Sequence, residues 1–438
     1  MRARFALGAA IALALLPVAV PAARASAEEP ARLAIGTVLP LTGSQAAFGA
    51  EATRGIEVAA QQLLARDPEL ASHITIVVGD DQSTAQGAGA AATKLIEKDH
   101  VRLLLGSVAS WTTTAVAGIA QQHQLPMIAP ISSQALPEED KRIFRTSLDE
   151  GREGELLATY ALKVLGVKQA ATLREDGIGE AAALVTHFAA AFKAGGGQIV
   201  AEVTYALGTD DFAPALKQLA DAGAKLVVTP ASYLTAQALL ATAKKLHPDM
   251  HFLGGDGWDT PALASATQGG AVGSAFVTHF AADDTNPAVQ AFVLAFRQKY
   301  GRAPGAVAAL SFDAYNVAIA AFQRAHTSLA GPLTSALAHL TGFTGVTGTL
   351  TLAGGLAKEG IVKSVTASGN QFKTRVAPRA GTALIVPPPG NTVPAAAPTD
   401  ASLSLSLASP PAKAAAPAAA PAPAAKPTSG APVPAKVP

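Results

Sequence analysis

The sequence predicts an α/β protein of two lobes, each built on a parallel, doubly wound sheet. Three observations predict this class. Short β-branched runs alternate with helical patterns, the alternation occurs as two separate series, and 438 residues suffice for two domains. Hydrophobic residues make up 49% of the chain and charged residues 15%, a balance that favours large buried faces.

The first series supplies four predicted strands. They are the runs LAIGTV (33–38), ITIVV (74–78), RLLL (102–105) and PMIAP (126–130). After the first run, apolar residues recur at helical spacing from Ile56 to Leu64, which predicts an amphipathic helix. Helical patterns also cover residues 87–98 and 112–122.

The second series repeats this rhythm. Its strands are the runs QAATL (169–173), GQIVAEV (197–203), KLVVT (225–229) and HFLGG (251–255), each next to a helical stretch. In doubly wound sheets, ligands bind beyond the carboxyl ends of the strands. The segments that follow the strands are therefore where we expect the functional residues.

The N-terminus has the pattern of a secretory signal peptide. Arg2 and Arg4 precede the apolar run FALGAAIALALLPVAV, and small residues follow it. We expect cleavage after Ala27, with Ala25 as the nearby alternative. This makes residues 1–27 the signal peptide and the periplasm the location. Because the chain has no cysteine, no lipid anchor, disulfide or thiolate metal site is expected. No later segment reaches membrane-spanning length without polar breaks, so stable insertion after cleavage is not expected.

The C-terminal segment, residues 387–438, changes composition. It is rich in proline and alanine and contains no aromatic residue. Such a segment cannot bury enough apolar area to offset its chain entropy, so we expect a disordered tail.

Charge and motifs exclude several functions. The net charge is +1 and the basic residues are spread along the chain, which argues against nucleic-acid binding. No phosphate-binding loop, nucleophile elbow or spaced metal-ligand set is present, and we expect no cofactor and no metal. The adjacent Asp80 and Asp81 are interpreted as capping groups for the next helix, with a catalytic role as the alternative.

Three polar clusters after strands point to binding instead. Ser110 stands where a helix N-cap is expected, with Thr112–Thr114 in the first turn, and such a helix end attracts a carboxylate. PISSQ (130–134) follows the next strand and faces the same crevice. In GGDGWD (254–259), Asp256 would suit an ammonium group, with a simple Asp-Gly turn as the alternative.

Longer segments resemble a known family. They are GTVLPLTGSQAAFGAEATRGIEVA (36–59), VVGDDQSTAQGA (77–88), GSVASWTTTAVAGIAQQHQLPMIAPISS (106–133), ADDTNPAVQAFVLAFRQKYGRAP (282–304), LSFDAYNVAIAAF (310–322) and GFTGVTGTLTL (342–352). In order and spacing they resemble the branched-chain amino acid (leucine/isoleucine/valine-binding) family of periplasmic solute-binding proteins, over nearly all of residues 31–375.

The resemblance implies a type I periplasmic binding fold. This fold has two Rossmann-like lobes with parallel, doubly wound sheets, joined by three hinge crossings. We expect lobe 1 at residues 31–147 and 280–326, and lobe 2 at 148–279 and 327–386. The implied partners are a small amino-acid-like ligand and the membrane permease of an ABC transporter.

Several site residues carry over from the resemblance. Ser110 matches the serine whose hydroxyl and N–H hold the ligand carboxylate. Ser133 falls where the family often has a threonine that bonds both the carboxylate and the ammonium. Ile131 would lend its carbonyl to the ammonium, and Asp256 falls where an acidic residue pairs with it.

Other positions concern the ligand side chain. Phe48 sits where an aromatic residue lines the cleft, and Tyr233 completes the predicted ligand-binding set. Two positions depart from the family pattern. Ile178 stands where a tyrosine commonly stacks on the ligand, and Trp111 is much larger than the usual small residue beside the serine. Both departures bear on side-chain preference.

The sequence therefore predicts a periplasmic solute-binding component of an ABC importer. It would capture a small amino acid, branched-chain, aliphatic or a related amide, and act as a monomer rather than as an enzyme. A ligand-sensing subunit that presents its ligand to a membrane receptor is the main alternative. An exported hydrolase is a third, resting only on Asp80, Asp81 and Asp256.

Overall fold

A computed structural model describes residues 31–132, 141–176, 182–260, 263, 271–352, 361–365, 372–375 and 406–407. The predicted signal peptide, Ser133 and Ile178 lie outside these ranges, as does the predicted tail apart from residues 406–407. The described residues form two α/β lobes with separate hydrophobic cores and one small hairpin.

The first lobe is built on a parallel sheet. Its strands are β1 (Leu33–Leu39), β2 (Ile74–Asp80), β3 (Leu103–Gly106), β4 (Met127–Ala129), β5 (Ile143–Arg145) and a short strand at Ser406–Leu407. Their order is the short strand, β2, β1, β3, β4 and β5, and every pair is parallel. The four strands predicted here are confirmed. The short strand places two residues of the predicted tail against the edge of β2.

Four helices accompany this sheet: α1 (Ala46–Arg66), α2 (Pro68–Ser72), α3 (Ala85–Glu97) and α4 (Ser110–Gln122). The stripe predicted in α1 faces the core, where Ile56 and Leu63 are buried. Thr84 caps α3, because its hydroxyl accepts the Gly87 N–H at 2.9 Å. Helix α4 begins directly beyond β3, and this placement brings its N-terminus to the carboxyl edge of the sheet.

The second lobe has a sheet of the same kind. Its parallel strands are β6 (Gln169–Glu175), β7 (Gln198–Tyr205), β8 (Leu226–Thr229), β9 (His251–Gly254) and β10 (Ala275–Thr278). Strand β10 adds to the four that the sequence predicts.

The helices of this lobe are α5 (Glu150–Lys163), α6 (Ala182–Ala194), α7 (Ala213–Asp221) and α8 (Tyr233–Leu246). Helices α5 and α6 approach closely at Gly154, where a Cβ would lie 2.2 Å from the Leu184 carbonyl oxygen. Only glycine permits this contact. It fixes the N-terminal half of α5 beside the second sheet.

The chain then returns to the first core through α9 (Pro287–Tyr300), α10 (Ala306–Ala325), α11 (Ala330–Ala338) and the hairpin β11 (Phe343–Gly345) and β12 (Gly348–Leu350). Leu333, Leu337 and Leu350 are buried in the first core. The predicted return to lobe 2 at residue 327 therefore differs from the observed packing. The apolar face of α11 meets α10, and the first lobe continues to residue 352.

Helix α10 is the core helix of the first lobe. Within the described part of the chain, it alone is long and apolar enough, by length and composition, to cross a membrane, with mean hydropathy 1.2. It contains the polar residues Asp313 and Asn316, in agreement with the expectation that later apolar segments carry polar breaks. In the fold, 78% of that stretch is buried inside the protein. Its Asp313 carboxylate accepts the backbone N–H groups of Val346 and Thr347, which ties the hairpin to the helix.

Two further strands complete the second sheet, β13 (Ile361–Val365) and β14 (Phe372–Arg375). They add antiparallel to the β10 edge, in the order β14, β13, β10, β9, β8, β6 and β7. Up to residue 375 the described chain lies in the first lobe as far as β5, in the second from α5 to β10, in the first from α9 to β12, and in the second again at β13 and β14.

Candidate ligand-binding site

A cavity of about 460 Å³ lies between the two lobes. The first lobe contributes the starts of α1, α4 and α10, and the second lobe contributes α5, the start of α8 and the turn after β9. A cleft of this size, at the carboxyl ends of two parallel sheets, is typical of a small-molecule site.

The N-terminus of α4 forms the polar part of the first wall. The sequence places Ser110 at the cap, but the structure has Ala109 there, in an extended conformation and without a side-chain cap bond. Ser110 is the first helical residue and lines the cavity with Trp111. The first helix bond runs from Thr113 N–H to Ala109 O at 2.9 Å, so the preceding amides have no acceptor within the helix. They remain available to an anionic group.

Thr113 secures this helix end to the neighbouring strands. Its hydroxyl accepts the Ser107 N–H at 3.0 Å and donates to the Ile131 carbonyl oxygen at 3.3 Å. Ile131 lines the cavity as expected. Its carbonyl oxygen thus already accepts one bond, and a second lone pair is left for a ligand.

Asp80 and Asp81 have structural partners and do not line the cavity. Asp80 accepts the backbone N–H groups of Leu41, Thr42 and Gln82 and so holds two loops together. Asp81 accepts the Ser107 hydroxyl, and burial raises the pKa of its carboxyl. The cap of α3 is Thr84 rather than either aspartate. Their geometry gives the hydrolase alternative no support.

Asp256 forms the polar part of the second wall. It opens the 3-10 turn Asp256–Trp258 after β9 and lines the cavity. Its carboxylate accepts from His279 Nε2 at 2.9 Å, and its backbone N–H donates to Glu153 Oε2 at 3.3 Å. The turn packs tightly, because a Cβ on Gly254 would lie 2.2 Å from the Trp258 ring.

Glu153, on α5, is a buried carboxyl that sequence reasoning missed. Its side chain is 1% exposed, and its Oε1 has no hydrogen-bond partner among the described residues. Burial raises the pKa of Glu153 well above its usual range, and the nearby Asp256 carboxylate raises it further. Glu153, Asp256 and His279 place ligand atoms within 4.8 Å of one another, which is close enough to hold a metal ion.

Aromatic side chains cover much of the remaining wall. Phe48 of the first lobe and Tyr233 of the second meet edge to face, with ring centroids 6.0 Å apart. Trp111 is 50% exposed at the cavity, and Trp258 is fully buried with its indole N–H donating to Ala231 O at 2.7 Å. The two lobes thus touch through rings across the cavity.

The structure brings together six of the eight predicted residues. The residues that line the cavity are Phe48, Ser110, Trp111, Ile131, Tyr233 and Asp256. Ser133 and Ile178 lie outside the described residues. Glu153 and His279 are additions. His279 directly follows β10. A sequence analysis that predicted this strand would therefore have included His279 among the candidate site residues.

A family model of the periplasmic binding proteins matches residues 32–359. The chain belongs to the periplasmic binding protein family. This periplasmic binding protein is 27% identical over 204 residues to the Leu/Ile/Val-binding protein homolog 3 of Brucella melitensis, a match that covers 45% of this chain and 54% of that protein. The chain thus spans about half the length of this curated relative.

Solved structures of this family have the same architecture. A leucine binding protein LivK from Thermotoga maritima is 27% identical with a TM-score of 0.71, covering 78% of this chain and 98% of that chain. A solute binding protein of an R. palustris ABC transporter, in complex with benzoate, is 25% identical with a TM-score of 0.66, covering 79% and 96%. The expected two-lobed α/β fold is confirmed.

Proposed function

We propose that this protein is the solute-binding component of an ABC importer and captures a small amino acid or a related amide between its lobes. The observation that carries the proposal is the cavity of about 460 Å³, with a helix N-terminus on one wall and the Asp256 carboxylate on the other. An α-amino acid carries a carboxylate for the helix end and an ammonium for the aspartate.

The relatives support the same chemistry. A related protein is named for leucine and another for leucine, isoleucine and valine. In this proposal Ser110 and Ser133 bond the carboxylate, Ile131 and Asp256 receive the ammonium, and Phe48, Trp111, Ile178 and Tyr233 enclose the side chain. The partner is a membrane permease, and the protein acts as a periplasmic monomer after removal of residues 1–27.

A thermal-shift screen of amino acids, amides, urea and short peptides tests the proposal. A ligand at 100 times its Kd stabilises a protein by about 2.7 kcal/mol, which raises Tm visibly. A flat screen would contradict ligand capture. Uptake of the labelled ligand by cells with and without this protein then separates import from sensing. Loss of an importer subunit abolishes uptake, whereas loss of a sensory subunit leaves uptake intact.

A further inference from the structure

The described residues that line the cavity carry an excess of negative charge. The second lobe contributes four carboxyl groups, from Glu150, Glu153, Asp256 and Asp259. Against them stands His279, and no lysine or arginine occurs among the described lining residues. A zwitterionic ligand has no net charge, because its carboxylate cancels its ammonium, so it does not offset the negative charge of the lining residues.

Glu153 sharpens this imbalance. The side chain is 1% exposed, and its Oε1 lacks a hydrogen-bond donor within the described ranges. A buried carboxyl group without a partner is unfavourable, and a cationic donor from a ligand would both bond to this oxygen and favour the ionised form of the group. Asp256 lies beside it, since its N–H donates to Glu153 Oε2 at 3.3 Å. Two carboxyl groups therefore converge on one end of the cavity.

The aromatic wall fits the same kind of group. Phe48 and Tyr233 present rings to the cavity from opposite lobes, 6.0 Å apart between centroids, and Trp111 is half-exposed beside them. Ring faces attract cations, most strongly where water is excluded. Apolar rings would not by themselves distinguish a cation from an aliphatic chain, but rings in the same cavity as the Glu153 and Asp256 carboxyl groups do.

We infer that the cavity takes a small organic cation, and that an amino acid with a positively charged side chain is the class that its walls fit best. The inference rests on the proposed function and narrows its ligand. The carboxylate of such a ligand meets the N-terminus of α4, its α-ammonium meets Asp256, and its cationic side chain meets Glu153. A benzoate-like anion meets repulsion at the same end.

Calorimetric titration of the purified protein tests this with L-arginine and with L-citrulline, its uncharged near-isostere. Isoleucine and benzoate complete the set. We expect arginine to bind at least tenfold more tightly than citrulline and more tightly than the other two. Citrulline, isoleucine or benzoate binding as tightly as arginine overturns the inference. Binding of isoleucine without arginine overturns it while leaving the proposed importer standing, and no binding by any of the four counts against both.

Paired variants locate the selectivity. Glu153→Gln keeps the shape but cannot ionise beside a bound cation, so the preference for arginine over citrulline should fall at least tenfold. Glu155→Gln is the matched control, because Glu155 lies on the same helix, 44% exposed and paired with Arg152. An unchanged preference in Glu153→Gln overturns the inference. Titration with ZnCl2 tests the alternative that Glu153, Asp256 and His279 hold a metal ion. Binding of zinc that requires His279, together with equal affinities for arginine and citrulline, would assign these three residues to a metal and overturn the inference.

Discussion

Asp256 is held from two directions, by its backbone N–H on Glu153 and by His279 on its carboxylate. These bonds orient the carboxylate before a ligand arrives, and its side chain is 17% exposed toward the cavity. Ser110 has a different setting, since the helix amides beside it offer the same kind of donor. The two residues should therefore differ in how much a ligand depends on them.

Asp256→Asn should weaken binding of an α-amino ligand at least tenfold, because it leaves a desolvated ammonium without its counter-charge. Ser110→Ala should cost less, since the amides of α4 remain, and hydrogen bonds to charged groups contribute about 1.5–3 kcal/mol. Calorimetry on both variants measures the order. The reverse order would place the ammonium elsewhere.

The raised pKa of Glu153 makes the folding stability of the protein depend on pH. Burial, followed by the Asp256 carboxylate, raises its pKa well above the ordinary 4.5, and the nearby Glu150 and Asp149 act in the same direction. His279 also faces this pair through Asp256. The folded chain therefore keeps a proton that the unfolded chain loses above pH 4.5. This contribution makes folding stability fall as pH rises from there toward the raised pKa.

Glu153→Gln should remove that fall. We expect its Tm to exceed the wild-type value at pH 8 and to match it near pH 4, where the wild-type carboxyl is protonated in both states. Thermal denaturation across this range measures the difference, with Glu155→Gln as the exposed control. Parallel Tm curves for Glu153→Gln and the wild type would show that the pKa of Glu153 is the same in the folded and the unfolded chain.

At the scale of elements, the N-terminus of α4 provides the backbone N–H groups of the proposed carboxylate site. It is fixed by one side chain, because the Thr113 hydroxyl bonds both Ser107 N–H and Ile131 O. Thr113→Val should destabilise the fold by about 1–3 kcal/mol, since the buried Ser107 N–H loses its acceptor. Ligand affinity should fall with it as the helix end shifts.

Thr113→Ser keeps the hydroxyl and is the matched control. Urea unfolding gives the stability difference, and calorimetry gives the affinity. If the valine variant bound ligand as the wild type does, the position of the α4 end would not depend on this bond.

The elements themselves were largely readable from the sequence. Long strands and amphipathic helices have clear periods, and all eight predicted strands occur. Strands β5 and β10, with three and four residues, were not predicted, although β4 and β9 have the same lengths and were. The cap of α4 was misplaced at Ser110 because hydroxyl residues usually occupy caps. Ala109 takes that place here, and the first-turn amides stay open toward the cavity.

At the scale of the whole molecule, the site joins distant parts of the chain. Glu153 and Asp256 lie 103 residues apart in sequence, and only the packing of α5 against the second sheet brings them together. A search of the segments that follow strands predicts site residues such as Asp256. It does not predict Glu153, which lies within helix α5. The same limit applies to α11, whose apolar face fits either core by composition alone and packs in the first.

Removal of residues 387–438 tests whether the lobes suffice for binding. We expect an unchanged Kd, because the described residues that line the cavity end at Leu310. Loss of the strand pair between Ser406–Leu407 and β2 should affect only the edge of the first sheet. Calorimetry on the truncated and full chains decides, and a tenfold loss of affinity would place the tail on the lobes.

The chain contains two tryptophans, and both line the cavity. Trp111 on the first lobe is 50% exposed, whereas Trp258 on the second is fully buried. Tryptophan fluorescence therefore reports on the cavity, with Trp111 accessible to solvent and Trp258 shielded from it. Capture of a ligand should shift the emission of Trp111 to shorter wavelength and shield it from iodide quenching. Trp111→Phe should leave a spectrum that ligands scarcely change, so closure can be followed in real time without any label.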